Sequence, residues 1–399
     1  GNDSNNIFAP IEVRQYQSSD VFARDPLPDN AFGGAVSLLG DRAILGATGV
    51  SDGTGAVYVF DRDANGTLVQ SSKVTPNDLN ASSLFGGSVA LGNDFLVAGA
   101  SRDLSEAGSA YVYNLEANGS WMQSQKLLLT TPVTAIDAFG KAVAVSGDAL
   151  VVTAIQPGLL GNEGNGSAYV FRLTNGNWTT DGNLTASDGA SSDQFGSSVA
   201  LDGNLTVVGA NKADANGLDS GAAYVFNYDA NGSWSQEQKL LPAVHSTGDE
   251  FGTSVAILGS VALVGSINAD GNGTDSGAAY VFRRDSSGNW TQEALLAPPV
   301  GGVAGFGSSV ALSGNYALVD SRVSGTGGAS YLYRNEENST LWTFVSMLGR
   351  TQGVALETQG KTVAMSGDMI LAGSPGDDRN GSDAGSATLF TNPGWGDFT

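Results

Sequence analysis

One phrase recurs along this sequence at a nearly fixed interval. A Phe-Gly pair opens a run resembling Ser-Val-Ala-Leu, and a seventh copy lacks the phenylalanine. The copies begin at Phe32, Phe85, Phe139, Phe195, Phe251, Phe306 and Gln359. The intervals are 53, 54, 56, 56, 55 and 53 residues, and a fixed period of this length is typical of propellers, solenoids and arrays. The sequence therefore predicts seven repeats within a single domain, residues 1–399.

Each repeat contains four strand-like segments, which we call A to D. In the fourth copy they are residues 198–201, 205–209, 222–226 and 234–240. Segments A and B are small and apolar, as expected of strands buried between neighbouring sheets, whereas segment D alternates polar and apolar residues. Four strands per repeat make one propeller blade. The predicted fold is all-β, a seven-bladed β-propeller with four antiparallel strands per blade.

The two ends of the chain predict how the ring closes. Only nine residues follow segment C of the last copy, so its fourth strand is missing there. Residues 13–17, before the first repeat, match residues 234–238 of segment D. We therefore expect residues 1–31 to supply a closing strand and a linker, with the amino-terminal strand completing the last blade.

Five of the six tryptophans stand at the start of segment D. They are Trp121, Trp178, Trp234, Trp290 and Trp342. A repeated aromatic stripe can form a sugar-stacking surface, or it can pack between blades. We favour packing.

Three phrases of the repeat carry a family resemblance. They read Phe195-Gly-Ser-Ser-Val-Ala-Leu, Leu205-Thr-Val-Val-Gly-Ala and Gly221-Ala-Ala-Tyr-Val-Phe in the fourth copy. This pattern resembles the FG-GAP repeat, the unit of the seven-bladed propeller of integrin α-subunits. The resemblance implies that the B–C loops and the D–A crossovers share one ligand-binding face. The calcium loop that many integrin-type repeats carry between strands A and B is a short turn in every copy here, so those calcium sites are not carried over.

Composition limits the partners. The formal charge of −22 disfavours nucleic acid and anionic lipid and favours cationic partners or divalent metals. No apolar run is long enough to span a membrane, and we expect no direct membrane insertion. Cysteine is absent, which removes disulfides and thiolate metal sites.

Thirteen Asn-x-Ser/Thr sequons indicate secretion and glycosylation. Beyond Asn2, the predicted glycosylation sites are Asn65, Asn80, Asn118, Asn165, Asn177, Asn183, Asn204, Asn231, Asn272, Asn289, Asn338 and Asn380. Several of them are also Asn-Gly turns, where asparagine is favoured for its tolerance of positive φ. The predicted location is extracellular or at the cell surface.

Three B–C loops share an acidic pattern that could bind Ca²⁺. Its candidate ligands are Asp214, Asn216, Asp219, Asp270, Asn272, Asp275, Asp378, Asn380 and Asp383. Their oxygen density suits calcium, although no bidentate glutamate closes the loop as in an EF-hand. The alternative, which we favour, is that these side chains brace the loops through Asx-turns. The crossover acids Asp137, Asp193 and Asp249 are predicted to cap the turn into strand A.

Catalytic groups are scarce. His245 is the only histidine, so triad or histidine–metal chemistry would depend on that single position. We therefore predict that the chain is not an enzyme and needs no cofactor other than Ca²⁺.

These observations together predict a secreted adhesion or recognition module that binds an extracellular protein or a glycan through variable loops on one face. A structural subunit of an extracellular filament, wall or matrix is the alternative, with self-assembly or a larger complex as its mode of association. A polysaccharide-active enzyme is a third and weaker hypothesis.

Overall fold

A computed structural model of the chain describes residues 16–129, 138–155, 165–299, 301, 303–322, 328–336, 339–349 and 362–392. The structure contains seven four-stranded antiparallel sheets. Six of them pair four consecutive strands in sequence order, and the seventh pairs the first strand of the chain with the last three. The predicted fold, an all-β seven-bladed propeller, is confirmed.

Strands A and B form the inner half of each blade. The A strands are β2 (Phe32–Leu39), β6 (Phe85–Leu91), β10 (Phe139–Ser146), β14 (Phe195–Asp202), β18 (Phe251–Leu258), β22 (Val310–Ser313) and β26 (Val363–Ser366). The B strands are β3 (Arg42–Ala47), β7 (Phe95–Ala100), β11 (Ala149–Ala154), β15 (Leu205–Ala210), β19 (Val261–Ser266), β23 (Tyr316–Ser321) and β27 (Met369–Ser374). Strand B is almost fully buried in every blade, because it lies between strands A and C and between two neighbouring sheets.

Strands C and D form the outer half. The C strands are β4 (Ala56–Arg62), β8 (Ser109–Leu115), β12 (Ser167–Thr174), β16 (Ala222–Tyr228), β20 (Ala278–Arg284), β24 (Ala329–Asn335) and β28 (Ser386–Thr391). The D strands are β5 (Leu68–Val74), β9 (Trp121–Leu127), β13 (Asn177–Leu184), β17 (Trp234–Leu240), β21 (Trp290–Leu296), β25 (Trp342–Leu348) and β1 (Gln17–Val21). Two four-residue helical segments, α1 (Val50–Gly53) and α2 (Asp103–Glu106), lie in B–C loops. Within the described ranges no helix is long and apolar enough to cross a membrane.

The amino-terminal strand β1 completes the seventh blade by pairing with β28, as predicted. Its register differs from the predicted one by two residues. Val21 pairs with Ala387, the place that Leu240 takes opposite Ala223 in blade 4. The last residue of strand D is its one consistently buried position, and Val21 is the apolar side chain available for it.

The Phe-Gly phrase has a packing role. The phenylalanine is buried against two aromatic residues of strand C, as Phe195 is against Tyr224 and Phe226. The following glycine turns its carbonyl toward the preceding blade, where strand B carries a glycine. A Cβ on Gly209 would lie 2.1 Å from the carbonyl oxygen of Gly252, so the two backbones can approach only because that side chain is missing.

Serine completes this contact between blades. Ser198 donates a hydrogen bond of 2.8 Å to the carbonyl of Gly252, and Ser88 and Ser254 make the same bond to Gly140 and Gly307. The recurring Phe-Gly-x-Ser phrase is thus explained by blade stacking.

Candidate functional site

Antiparallel order places the loops of the propeller on two faces. The B–C loops and D–A crossovers lie together on one face, which we call the crossover face. The A–B and C–D turns lie on the other, which we call the turn face.

The three candidate calcium loops lie on the crossover face, and their aspartates brace the loops. The Oδ1 atom of Asp214 accepts the backbone N–H of Asp219 at 2.8 Å. The equivalent bonds are 2.9 Å from Asp275 to Asp270 and 2.7 Å from Asp383 to Asp378. Each of these bonds braces its loop, as we favoured from the sequence, but each spans five residues and is therefore not the two-residue bond of an Asx-turn.

The asparagines of two of these loops contact the crossovers instead of converging on the aspartates. The amide of Asn216 donates to the carbonyl of His245 at 3.4 Å, and that of Asn272 donates to Pro298 at 3.0 Å. Among the described residues, no group of three or more His, Cys, Asp or Glu side chains is arranged to hold a metal. These oxygen atoms do not form a calcium cage as they stand, and calcium binding stays a prediction.

Two of the crossover acids cap their turns. Asp193 accepts the backbone N–H of Ala190 at 2.9 Å, and Asp249 accepts that of Ser246 at 2.6 Å. Asp137 lies outside the described residues. Burial raises the pKa of both Asp193 and Asp249, and neighbouring carboxylates add to the shift, Asp214 in the first case and Asp270 in the second.

These interactions outline an acidic patch on the crossover face of blades 4 and 5. Seven carboxylates belong to it, those of Asp193, Asp214, Asp219, Asp249, Glu250, Asp270 and Asp275. Lys212 lies inside it, with its Nζ 2.7 Å from Glu250 and 3.3 Å from Asp219. Lys239, which is paired with Asp188, acts on Asp193 from the edge. Two apolar side chains are exposed beside the patch, Leu218 at 65% and Val244 at 79%.

His245 lies at the edge of this patch. Its Nδ1 faces the carbonyl oxygen of Pro242 at 2.9 Å, within the same crossover. Its Nε2 is buried and has no hydrogen-bond partner among the described residues.

A charged clamp on the crossover face was not predicted from the sequence. In blades 1, 2 and 4 an aspartate four residues after strand D pairs with a lysine of the next strand D, whose Nζ lies over a strand C tyrosine. The clamps are Asp25–Lys73–Tyr58, Asp78–Lys126–Tyr111 and Asp188–Lys239–Tyr224. The recurrence of Asp and Lys at fixed offsets was the available signal.

The clamps fix the crossovers onto the next blade. In blade 2 the Lys126–Asp78 distance is 2.8 Å, and Lys126 also contacts the buried carboxylate of Asp103 at 2.9 Å. Burial raises the pKa of Tyr111 to about 12. Burial acts to raise the pKa of Asp78, but the hydrogen bond and charge of Lys126, together with the hydrogen bond from Tyr111, outweigh it and the pKa lies below its usual value.

The strand D tryptophans contact the preceding blade, which supports the packing interpretation over a sugar-stacking surface. The indole N–H of Trp234 donates to Asp181, that of Trp290 to Glu237 and that of Trp342 to Glu293. The ring of Trp178 lies 5.0 Å from that of Phe95.

Two concavities built from described residues lie on the turn face, at equivalent boundaries between blades. The first, between blades 1 and 2, has a volume of about 630 Å³ and is lined by Arg42, Asp61 and Leu91 among others. The second, between blades 5 and 6, holds about 110 Å³ and is lined by Val261, Arg283 and Trp342 among others.

The sequence was also compared with known proteins. The FG-GAP repeat family matches residues 17–60, 68–113, 121–171, 178–226, 234–282 and 342–390, which is well over half of the chain. The search of curated proteins finds no match.

Solved structures share the propeller at low sequence identity. A provisionally assigned 6-phosphogluconolactonase from Bacteroides uniformis superposes with a TM-score of 0.56 at 15% identity, covering 85% of this chain and 91% of that one. Sqt1 from Chaetomium thermophilum gives 0.51 at 16% identity, with coverages of 88% and 81%. A protein from Lactobacillus plantarum gives 0.50 at 14%, with coverages of 79% and 84%.

These neighbours correct the functional prediction. The prediction of a secreted adhesion or recognition module, with its alternatives of an extracellular structural subunit and a polysaccharide-active enzyme, is wrong, because the scaffold on which it rested is shared with a provisionally assigned lactonase and with Sqt1. Strand pairing and blade packing determine this scaffold, and ligand chemistry does not enter into them.

Proposed function

Because the chain belongs to the FG-GAP repeat family, we propose that it uses its propeller as a non-catalytic scaffold that holds a basic segment of a partner protein within a larger complex. The observation that carries the proposal is the acidic patch of blades 4 and 5. This proposal requires neither adhesion nor secretion.

The charge of the patch selects the partner. The seven carboxylates outnumber the lysines beside them. Lys212 is already engaged by Asp219 and Glu250, and Lys239, which acts on Asp193, is engaged by Asp188. The whole chain has the same sign, since its formal charge is −22. Such a field attracts lysine- and arginine-rich segments and repels nucleic acid.

The exposed apolar side chains add a second requirement. The backbone N–H of Gly248 donates to the carbonyl of Leu218 at 2.9 Å, which joins the B–C loop to the crossover that carries Val244. Leu218 and Val244 therefore lie beside the carboxylates on connected loops. A partner segment that carries apolar residues between its basic ones would cover both features.

The surroundings of the only histidine support a role without catalysis. Nδ1 of His245 lies against a backbone carbonyl of its own turn. The nearby carboxylates Asp214 and Asp249 hold backbone N–H groups of their own loops. These contacts stabilise loop structure, and they suit a rigid surface better than a reaction centre.

A charge-matched pair of double variants tests the proposal. Asp219→Asn with Asp275→Asn removes two charges from the patch, and asparagine tolerates the positive φ of both residues. Asp94→Asn with Glu116→Gln removes two exposed charges from the turn face. The probe is a labelled 12-residue peptide alternating lysine and leucine, measured by fluorescence anisotropy against a lysine-acetylated copy.

We expect the patch variant to weaken peptide binding by about tenfold, which is about 1.4 kcal/mol, and the turn-face variant to leave it nearly unchanged. Equal losses in the two variants, or equal binding of the acetylated peptide, would contradict the proposal, since either result means that the patch makes no specific contribution.

We also propose that the chain is a glycoprotein of the cell surface or extracellular space. Eleven of the predicted glycosylation sites lie in the described ranges, and each of these asparagines is exposed; Asn2 and Asn338 lie outside those ranges. Mass spectrometry of natively purified protein, before and after enzymatic deglycosylation, tests this. Unmodified asparagines throughout would contradict it.

A further inference from the structure

The groove between blades 1 and 2 on the turn face differs from its counterpart in volume and in charge. It holds about 630 Å³, against about 110 Å³ between blades 5 and 6. The smaller one is lined by Val261 where the larger one has Arg42. The volume of the larger groove is within the range of small-molecule sites.

Arg42 departs from the rule of the repeat. It is the first residue of strand B, and the other six blades place an apolar residue there, Phe95, Ala149, Leu205, Val261, Tyr316 and Met369. At the next boundary that residue packs on the tryptophan of the following blade, as Phe95 does on Trp178. Blade packing is satisfied by an apolar side chain at this position, so it does not explain an arginine.

The guanidinium of Arg42 is held in place and partly open. Its Nε donates to Asp61 Oδ1 at 2.6 Å, and its central carbon lies 5.4 Å from the ring centroid of Trp121. Within the described part of the chain its two terminal nitrogens make no hydrogen bond. A planar guanidinium fixed on an indole face, with terminal N–H groups available, is well suited to a carboxylate.

The remaining charges restrict which carboxylate can bind. Arg62 is occupied, because both of its terminal nitrogens bond to Asp368, at 2.7 and 2.8 Å. The carboxylate of Asp41 is exposed at the rim, 3.5 Å from Arg62. The two arginines and two aspartates that line the groove balance in charge, and Asp368 adds a further negative charge beside Arg62. A simple anion is therefore disfavoured, whereas a ligand with its own ammonium group is matched.

We infer that this groove binds a small α-amino acid zwitterion with an apolar side chain. The ligand carboxylate takes the terminal nitrogens of Arg42, its ammonium group faces Asp41 and Asp61, and its side chain covers the exposed part of Leu39. The inference does not depend on the proposed function, which concerns the opposite face.

Calorimetric titration with L-leucine tests the inference. L-leucine methyl ester lacks the carboxylate, and N-acetyl-L-leucine lacks the ammonium group. The variant Arg42→Leu introduces an apolar residue, as in the other blades. Arg42→Lys keeps the positive charge but lacks the paired N–H donors of the guanidinium group. Lys141→Leu removes one exposed cation elsewhere and is the control. Thermal melts verify that each variant is folded.

We expect L-leucine to bind with a dissociation constant of about 0.1 to 1 mM. Arg42→Leu should weaken this binding at least tenfold, Arg42→Lys several-fold and Lys141→Leu not at all, while both modified leucines bind at least tenfold more weakly. The inference is overturned if leucine gives no saturable heat up to about 20 mM, if either modified leucine binds as well as leucine, or if Arg42→Leu keeps the wild-type affinity.

Discussion

Asp320 is a buried acid in a position that packing assigns to glycine. It is the fifth residue of its strand B, where five other blades have Gly46, Gly99, Gly209, Gly265 and Gly373, and blade 3 has Thr153. Asp320 is fully buried. Ser330 donates a hydrogen bond of 2.6 Å to its Oδ1, whereas Oδ2 has no partner among the described residues. Burial raises the pKa of Asp320 from 3.8 to about 8.

The raised pKa of Asp320 makes the folded protein less stable as the pH rises. Between about pH 4 and pH 8 the carboxyl is neutral in the folded protein and ionised in the unfolded chain, so folding takes up a proton and stability falls as the pH rises. A tenfold change in an acid dissociation constant corresponds to about 1.4 kcal/mol, so the raised pKa of Asp320 sets an upper limit of about 5 to 6 kcal/mol on this loss above pH 8. Relaxation of the surroundings keeps the loss below this limit.

Replacement of Asp320 by asparagine should remove this penalty. Asparagine keeps the acceptor for Ser330 and cannot ionise, so Asp320→Asn should be more stable than wild type by an amount that grows from pH 4 to pH 8. Guanidinium unfolding at pH 4, 6 and 8 measures the difference in the free energy of unfolding. Asp94→Asn, an exposed acid on an A–B turn, controls for the general loss of a negative charge.

The reasoning is refuted by a stability difference that stays constant across this pH range. It is also refuted if Asp320→Asn is the less stable protein at pH 8, because that would mean that the charged carboxylate has a compensating partner.

Three further predictions concern the ring. Gly209→Ala should lower the free energy of unfolding by about 2 to 4 kcal/mol, because the added Cβ would lie 2.1 Å from the carbonyl oxygen of Gly252. Gly349→Ala is the control, since open space surrounds that position. Similar losses for the two variants would contradict the argument from close approach. Removal of residues 1–21 should lower the melting temperature and promote aggregation more than removal of residues 1–15 does, because only the longer deletion exposes the edge of β28. Equal melting temperatures for the two deletions would contradict closure by β1. Lys73→Met should cost no more than about 1 kcal/mol at neutral pH, because its ion pair with Asp25 is partly exposed to solvent. The difference should vanish in denaturation series as the pH falls below about 4, because the lowered pKa of Asp25 stabilises the fold only while the carboxylate is charged; a difference that persists in acid would contradict the clamp.

The fold could be predicted because its determinants are local and repeated seven times. The Phe-Gly phrase and the four strand patterns recur at equal spacing, so a weak signal in one blade is supported by the others. The register of β1 could not be predicted in this way, because strand D is mostly polar. Its register depends on which residue is buried at its end, and that residue, Val21, lies beyond the segment that the polar pattern selected.

The interactions on the two faces were less accessible from the sequence. Asp78 and Lys126 are 48 residues apart and meet only because one blade stacks on the next. Each acid of the patch on blades 4 and 5 could be identified in the sequence, but its neighbours could not. The three candidate calcium loops show another limit of the sequence. The same spacing of Asp and Asn is compatible with hydrogen bonds that brace the loop or with a calcium site, and which of the two forms depends on where the side-chain oxygens point.

Seven copies of one unit provide an internal standard for what the scaffold itself requires. Strand B of this propeller needs an apolar first residue and, in most blades, a glycine at its fifth position, and both needs follow from packing against the next blade. Arg42 and Asp320 break these two rules. Asp320 does so at a cost in stability, because it buries an ionisable group. Arg42 contacts Trp121 and Asp61 through a charged group that the other blades do without, and a scaffold alone requires neither departure. Function in this chain is therefore best sought at such departures, because the residues shared by the blades are already accounted for by the ring.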